Sequence, residues 1–191
     1  VLFRSTEEAK RAEYLSTLNT ESDRLHRLID NVLDYARLEN RPLKADRQAV
    51  IVTDLLRQLQ DTWQDRCAAD GRELVVMSTL PPEKTILTDP QLLQQIVGNL
   101  IDNSRKYARD AADRRIWLWA KPEGESRVVF EVEDRGPGIA PRERKSVFRP
   151  FRRGETADTT AGGAGLGLAL ARQWAAALGG RLGYRPADGG V

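Results

Sequence analysis

Cysteine is almost absent from this sequence. Cys67 stands alone, so no disulfide framework and no thiolate metal site can form within one chain. A reducing compartment is the natural setting. An excess of charge of one sign is absent too. Thirty basic against twenty-eight acidic residues leave a net charge of +2, too even for nucleic acid or an anionic membrane to be the main partner. No apolar run approaches the roughly 18 residues of a membrane helix, and no secretory leader is visible. The chain also lacks any Gly-Lys pair, which removes a Walker-type loop, and it lacks the HRD and DFG signatures of protein kinases. What is present fits one globular domain plus a smaller element: 191 residues, 40% hydrophobic and 30% charged.

Residues 6–39 contain neither proline nor glycine. Leu15, Leu18, Ser22, Leu25, Ile29, Val32 and Ala36 fall alternately three and four apart, which is a heptad seam. Leu28, Leu33 and Leu38 widen the apolar face, so this long helix needs a bundle to cover it. Asn40-Arg41-Pro42 ends it. Beyond, Thr53 and Asp54 are expected to cap a helix carrying Leu55, Leu56, Leu59 and Trp63 on one face, closed by Ala69-Asp70-Gly71. ELVVM reads as a strand. A second helix opens near Thr88 with Pro90 in its first turn, where a missing amide costs nothing. IWLWA and VVFEVE read as strands joined by the turn KPEGES. After a loop rich in Gly and Arg over roughly 136–165, the helix LGLALARQWAAAL stops at Gly179-Gly180. This order predicts an α+β fold: a two-layer α/β sandwich, with a mixed sheet and helices on one face, preceded by the long helix.

Four elements carry the chemistry. On the second helix, Asn99, Asn103 and Lys106 share a stripe, while Leu93, Val97, Leu100 and Ser104 form another that can face the core. An amide oxygen suits magnesium, and a lysine one turn on can reach phosphate. Next, Asp134-Arg135-Gly136-Pro137-Gly138-Ile139 follows a strand. A carboxylate there can accept from an exocyclic amine such as adenine's, and glycines let backbone approach a flat ring. Third, Phe148-Arg149-Pro150-Phe151-Arg152-Arg153 offers aromatic anchors and phosphate-reaching arginines. Last, Gly162-Gly163-Ala164-Gly165-Leu166-Gly167-Leu168 opens a helix whose bare amides suit phosphate. It is no dinucleotide fingerprint, because Leu168 stands where that pattern needs glycine. Each element alone is common; the fixed order is what carries weight.

Together they resemble the catalytic domain of sensor histidine kinases, in the superfamily that also holds DNA gyrase and the mismatch-repair ATPases. NLIDNSRKY resembles the asparagine box, DRGPGI and GGAGLGLAL the two glycine boxes, and FRPFRR the phenylalanine box, over about residues 50–191. The resemblance implies ATP and Mg2+ as cofactors. Asp134 would take the adenine amine, with Gly136, Gly138 and Ile139 lining the ring. Asn103 would be the magnesium ligand and Asn99 its neighbour near the phosphates. Lys106 with Arg152 or Arg153 would contact phosphate, Tyr107 would pack beside the nucleotide, and Gly163, Gly165, Leu166 and Gly167 would form the hinge and phosphate-facing backbone. Hydrolysing members place a general-base glutamate four residues before the magnesium asparagine. Here Asn99 stands there and cannot take a proton.

SDRLHRLIDNVLDYARLE likewise resembles the second helix of the family's dimerisation and phosphotransfer stalk. The division expected is residues 1–41 as an incomplete stalk and 42–191 as the ATP-binding domain. The accepting histidine of the family is followed by an acidic residue and a proline; His26, the only histidine, is followed by Arg27 and reads as an ordinary helix residue. The start VLFRS and the end RPADGGV read as cut points, so the chain is expected to be a cytoplasmic fragment unable to label itself. The intact bacterial protein would be a membrane-anchored homodimer, joined through stalk helices, that passes phosphate to the receiver domain of a response regulator. The alternatives are an ATPase of the same superfamily and a degenerate interaction module.

Overall fold

The computed structural model describes residues 43–152 and 165–186, with positions 11, 14, 15, 18, 22 and 29. In chain order the elements are β1 (Gln48–Ile51), α1 (Val52–Ala69), β2 (Glu73–Ser78), β3 (Thr85–Thr88), α2 (Pro90–Tyr107), β4 (Arg115–Glu123), β5 (Arg127–Glu133) and α3 (Gly167–Ala177). The main sheet has the order β2-β4-β5. β2 runs parallel to β4, and β4 antiparallel to β5, so the sheet is mixed as expected. β1 and β3 form a separate antiparallel pair, Ile51 opposite Thr85. Neither short strand was expected: each has four residues, and pairing rather than local pattern makes them strands.

Alternation along the sheet selects one face for the helices. Leu74 of β2, Ile116, Leu118 and Ala120 of β4, and Phe130 and Val132 of β5 pack against Leu55, Leu56 and Leu59 of α1 and Leu93, Val97 and Ile101 of α2. A second cluster joins Ile96 of α2 to Leu166, Leu170, Ala171 and Trp174 around α3. α2 is therefore shared by both clusters. On the opposite face of the sheet, the Arg115 and Arg135 guanidiniums each lie 4.9 Å from the Trp117 ring. Lys121 lies 4.4 Å from the Trp119 ring.

The helix ends show which local signals held. Asp89 caps α2 through Oδ1, which accepts from the amides of Gln91 and Leu92, with Pro90 next. α1 differs from expectation. It begins at Val52 after Ile51 without a side-chain cap, and Thr53 lies inside its first turn, donating to the Pro82 carbonyl at 2.8 Å. β1 leads straight into α1, and the Val52 amide is met by the Lys84 carbonyl instead. α3 ends in a Schellman pattern: the Gly180 amide reaches the Ala175 carbonyl and the Gly179 amide that of Ala176, with Gly179 at φ 77°. Lys121, Pro122 and Glu123, expected in a turn, extend β4. Within the expected stalk, positions 11, 14, 15, 18, 22 and 29 are helical. Leu15, Leu18 and Ile29 of the seam are exposed. Leu25, His26, Val32 and Ala36 lie outside the described residues.

Candidate nucleotide site

α2 runs under the C-terminal end of β5 and brings its last turns against the loop that follows. There Ser104, buried on the core-facing stripe, donates its hydroxyl to Asp134 Oδ2 at 2.7 Å. The Gly136 amide donates to Asp134 Oδ1 at 2.9 Å. Both carboxylate oxygens are thus fixed, and each keeps a lone pair for a further donor. A Cβ at Gly136 would meet Asp134 Oδ1 at 2.9 Å and Ala108 at 3.0 Å, so glycine is what allows this loop to fold against the end of α2.

The rest of the loop is braced from the far end of the chain. Gly138 has φ 71°, a left-handed conformation that glycine adopts without strain. A Cβ there would stand 3.1 Å from the Tyr184 hydroxyl. That hydroxyl oxygen accepts from the Ile139 amide at 3.2 Å, and Arg144 Nε donates to the Ile139 carbonyl at 3.1 Å. The Arg144 guanidinium also lies 5.5 Å from the Tyr184 ring. Ile139 is thereby held at both backbone groups.

Along α2, the Asn99 amide reaches the Gly167 carbonyl at 3.5 Å, a long contact. A Cβ at Gly167 would come within 3.4 Å of Asn99 Oδ1. This joins the asparagine to the start of α3. Asn103 Nδ2 is buried without a hydrogen-bond partner. A buried amide nitrogen left unpaired is costly, and no bond at that atom opposes turning the amide oxygen towards a cation. The donor set fits magnesium, which keeps several waters and takes one or two protein oxygens beside substrate phosphates. Among the described residues no group of three His, Cys, Asp or Glu side chains could hold a metal unaided. Lys106 is half-buried, its ammonium 2.5 Å from Asp102. Tyr107, the last residue of α2, is exposed.

Gly165 lies against Arg152. At φ 68°, it lies so close to Arg152 that a Cβ would meet the Arg152 carbonyl oxygen at 2.7 Å. Phe151, before Arg152, is exposed and itself at φ 59°, an outlier for an aromatic residue. Leu166 is fully buried beside Leu170 and Trp174; its backbone, not its side chain, is what it can offer a nucleotide. Arg153 and Gly163 lie outside the described residues. Cys67 is buried between α1 and β2, and burial pushes its thiol up against an opposing pull from Arg105, so it provides no reactive thiolate.

Three residues of this arrangement escaped sequence reading. Ser104 was placed on the core stripe, where a hydroxyl among apolar residues was the available signal. Arg144 and Tyr184 carry no local signal, since their partner Ile139 is distant from Tyr184 in the chain.

The description "Histidine kinase-, DNA gyrase B-, and HSP90-like ATPase" matches residues 88–191, and the chain belongs to that family. Within it, the likeness is to sensor kinases. The chain is 33% identical to Sensor protein RstB of Escherichia coli (strain K12) over 166 residues, 86% of this chain and 36% of that protein. It is 33% identical to Drug sensory protein A of Synechocystis sp. over 175 residues, 86% of this chain and 26% of that protein. The structure of full-length ShkA in complex with AMPPNP superposes with a TM-score of 0.70 at 33% identity, covering 90% of this chain and 36% of that one. The mycobacterial sensor histidine kinase MprB gives 0.56 at 26%, covering 70% and 80%. This chain therefore spans about a third of RstB and of ShkA.

Proposed function

We propose that the chain is the ATP-binding catalytic portion of a sensor histidine kinase, which places the γ-phosphoryl group of ATP for transfer to a histidine and thence to a response-regulator aspartate. The observation that carries the reading is the Asp134 carboxylate, held at both oxygens by Ser104 and the Gly136 amide. Beside it, Gly136 and Gly138 carry no side chain, so their backbone is what this turn can present to a flat ring. Asp134 accepts from the adenine amine, while Gly136, Gly138 and Ile139 present backbone. Asn103 holds magnesium, which would offset negative charge on the phosphates when bound. Lys106 and Arg152 act on the same phosphates as positive charge; Arg153 and Gly163 are assigned to this group from the motif alone. Asn99, a neutral amide in place of a basic carboxylate, positions its neighbours and activates no water. The catalytic unit is assigned to residues 42–191, a division supported from Gln48 onward by the pairing of β1 with β3. The stalk segment before it serves dimerisation in the intact protein.

Calorimetry with AMPPNP and Mg2+ tests the reading. Wild type should bind, Asp134→Ala should lose binding at least tenfold, and omission of Mg2+ should weaken it. Failure of wild type to bind would instead favour a degenerate module. Labelled ATP should leave no acid-labile phosphate on His26, and Mg2+-dependent phosphate release should stay at background. Steady release abolished by Asn99→Ala would turn the assignment to an ATPase.

A further inference from the structure

Lys106, the residue aimed at phosphate, is not free. Its ammonium lies 2.5 Å from Asp102 Oδ2, one helical turn back. Asp102 is largely buried, its side chain 17% exposed, and a buried carboxylate stripped of its partner is strongly unfavourable. Lys106 therefore turns to a nucleotide more readily when Asp102 keeps another cation. Arg105 is in place for this. Its Nη1 lies 3.5 Å from Asp102 Oδ1, while Nε and Nη2 lie 2.8 and 2.6 Å from Asp70 Oδ2. Asp70 is the residue that ends α1. The guanidinium also stands 5.9 Å from the Trp63 ring of α1. That ring packs so closely on Gly98 of α2 that a Cβ there would touch it at 3.0 Å. A planar fork can serve two carboxylates at once, as an ammonium cannot.

We propose that Arg105 is a positioning residue for the phosphate site: anchored to α1 through Asp70 and Trp63, it remains with Asp102 and so releases Lys106 to the nucleotide. The inference rests on the reading of Lys106 as a phosphate contact. Arg105 touches no nucleotide itself. Charges along the chain Asp70, Arg105, Asp102 and Lys106 alternate in sign, so withdrawing Lys106 leaves Asp102 with Arg105 rather than unpaired. Without Arg105, Asp102 holds Lys106 more strongly, and the phosphates compete less well for it.

The test compares MgATP with adenosine, which carries no phosphate, by calorimetry on the full chain. Arg105→Met should weaken MgATP binding about tenfold and leave adenosine binding unchanged. Adding Asp102→Asn to that variant removes the carboxylate that holds the lysine, and should restore MgATP affinity to within about threefold of wild type. Unchanged MgATP binding in Arg105→Met would overturn the proposal. So would equal weakening of both ligands, or failure of the double variant to recover, since a merely structural arginine is not rescued by deleting a second charge. If wild type binds adenosine but gains nothing from the phosphates, the reading of Lys106 itself fails. Lys106→Met separates that case: it should abolish the difference between Arg105→Met and wild type.

Discussion

Ser104 lies on the stripe of α2 that also carries Leu93, Val97 and Ile101, yet its hydroxyl points at Asp134 across 2.7 Å. A carboxylate held by one donor can rotate, whereas one held at both oxygens presents its remaining lone pairs in fixed directions. Pre-set acceptors lower the ordering cost of binding. Ser104→Ala should therefore leave the fold intact, because alanine suits both helix and core, while AMPPNP affinity falls about tenfold with the loss of a hydrogen bond to a charged group. Calorimetry beside a thermal melt separates the two effects. An unchanged affinity would mean that the Gly136 amide alone orients Asp134. The same scale explains the limits of sequence reading at this site. Asp134, Asn99, Asn103 and the glycines could be singled out as candidates because residue type and order alone mark them. The role of Ser104 was not legible, since serine on a buried stripe has several uses and only the approach of β5 selects one.

At the scale of elements, α2 and β4 were legible because each is long and strongly patterned. α2 shows a proline start and a continuous apolar stripe, and β4 alternates Ile116, Leu118 and Ala120 inward. β1 and β3 were not, because four residues pairing across 34 or more positions have no local periodicity to read. The start of α1 was misplaced for a related reason: the donor that a cap would satisfy is met by Lys84, beyond the turn after β2. Tyr184 belongs to the same class of long-range facts. It follows α3, yet its hydroxyl accepts from Ile139 in the loop after β5, so the segment after the last helix braces the turn at Gly138 and Ile139. Tyr184→Phe removes that acceptor and little else. Amide exchange at Ile139 should accelerate, and AMPPNP affinity should fall about fivefold, the worth of one ordinary hydrogen bond. If exchange accelerates while affinity holds, the brace is structural and the turn is set by Gly136 and Asp134 instead.

For the whole molecule, carboxylates paired on and beside the face of the main sheet that carries Trp117 and Trp119 set how the fold responds to acid. Burial pushes the Glu131 carboxyl up, but hydrogen bonds from Lys121 and Arg185 outweigh it and hold the group below its ordinary 4.5. Asp113 is lowered to about 2 by its hydrogen bonds to Arg115. In both cases the unfolded chain binds protons more readily than the folded one, so stability rises with pH across the titration. The contribution is complete above the unfolded values and is lost as pH falls through the folded ones. Denaturant midpoints should accordingly stay level near neutrality and decline once pH drops below about 4.5, the ordinary range of these carboxyls. Glu131→Gln should have a lower midpoint at neutral pH and a shallower decline in acid, because its share of the proton uptake is gone. Lys121 makes this more than a local effect: it bonds Glu131 at 2.8 Å while covering the Trp119 ring. Protonating Glu131 loosens that cover, so Trp119 fluorescence should change over the same pH interval in wild type and not in Glu131→Gln. A fluorescence change that survives the substitution would assign the transition to other carboxylates, Asp113 first.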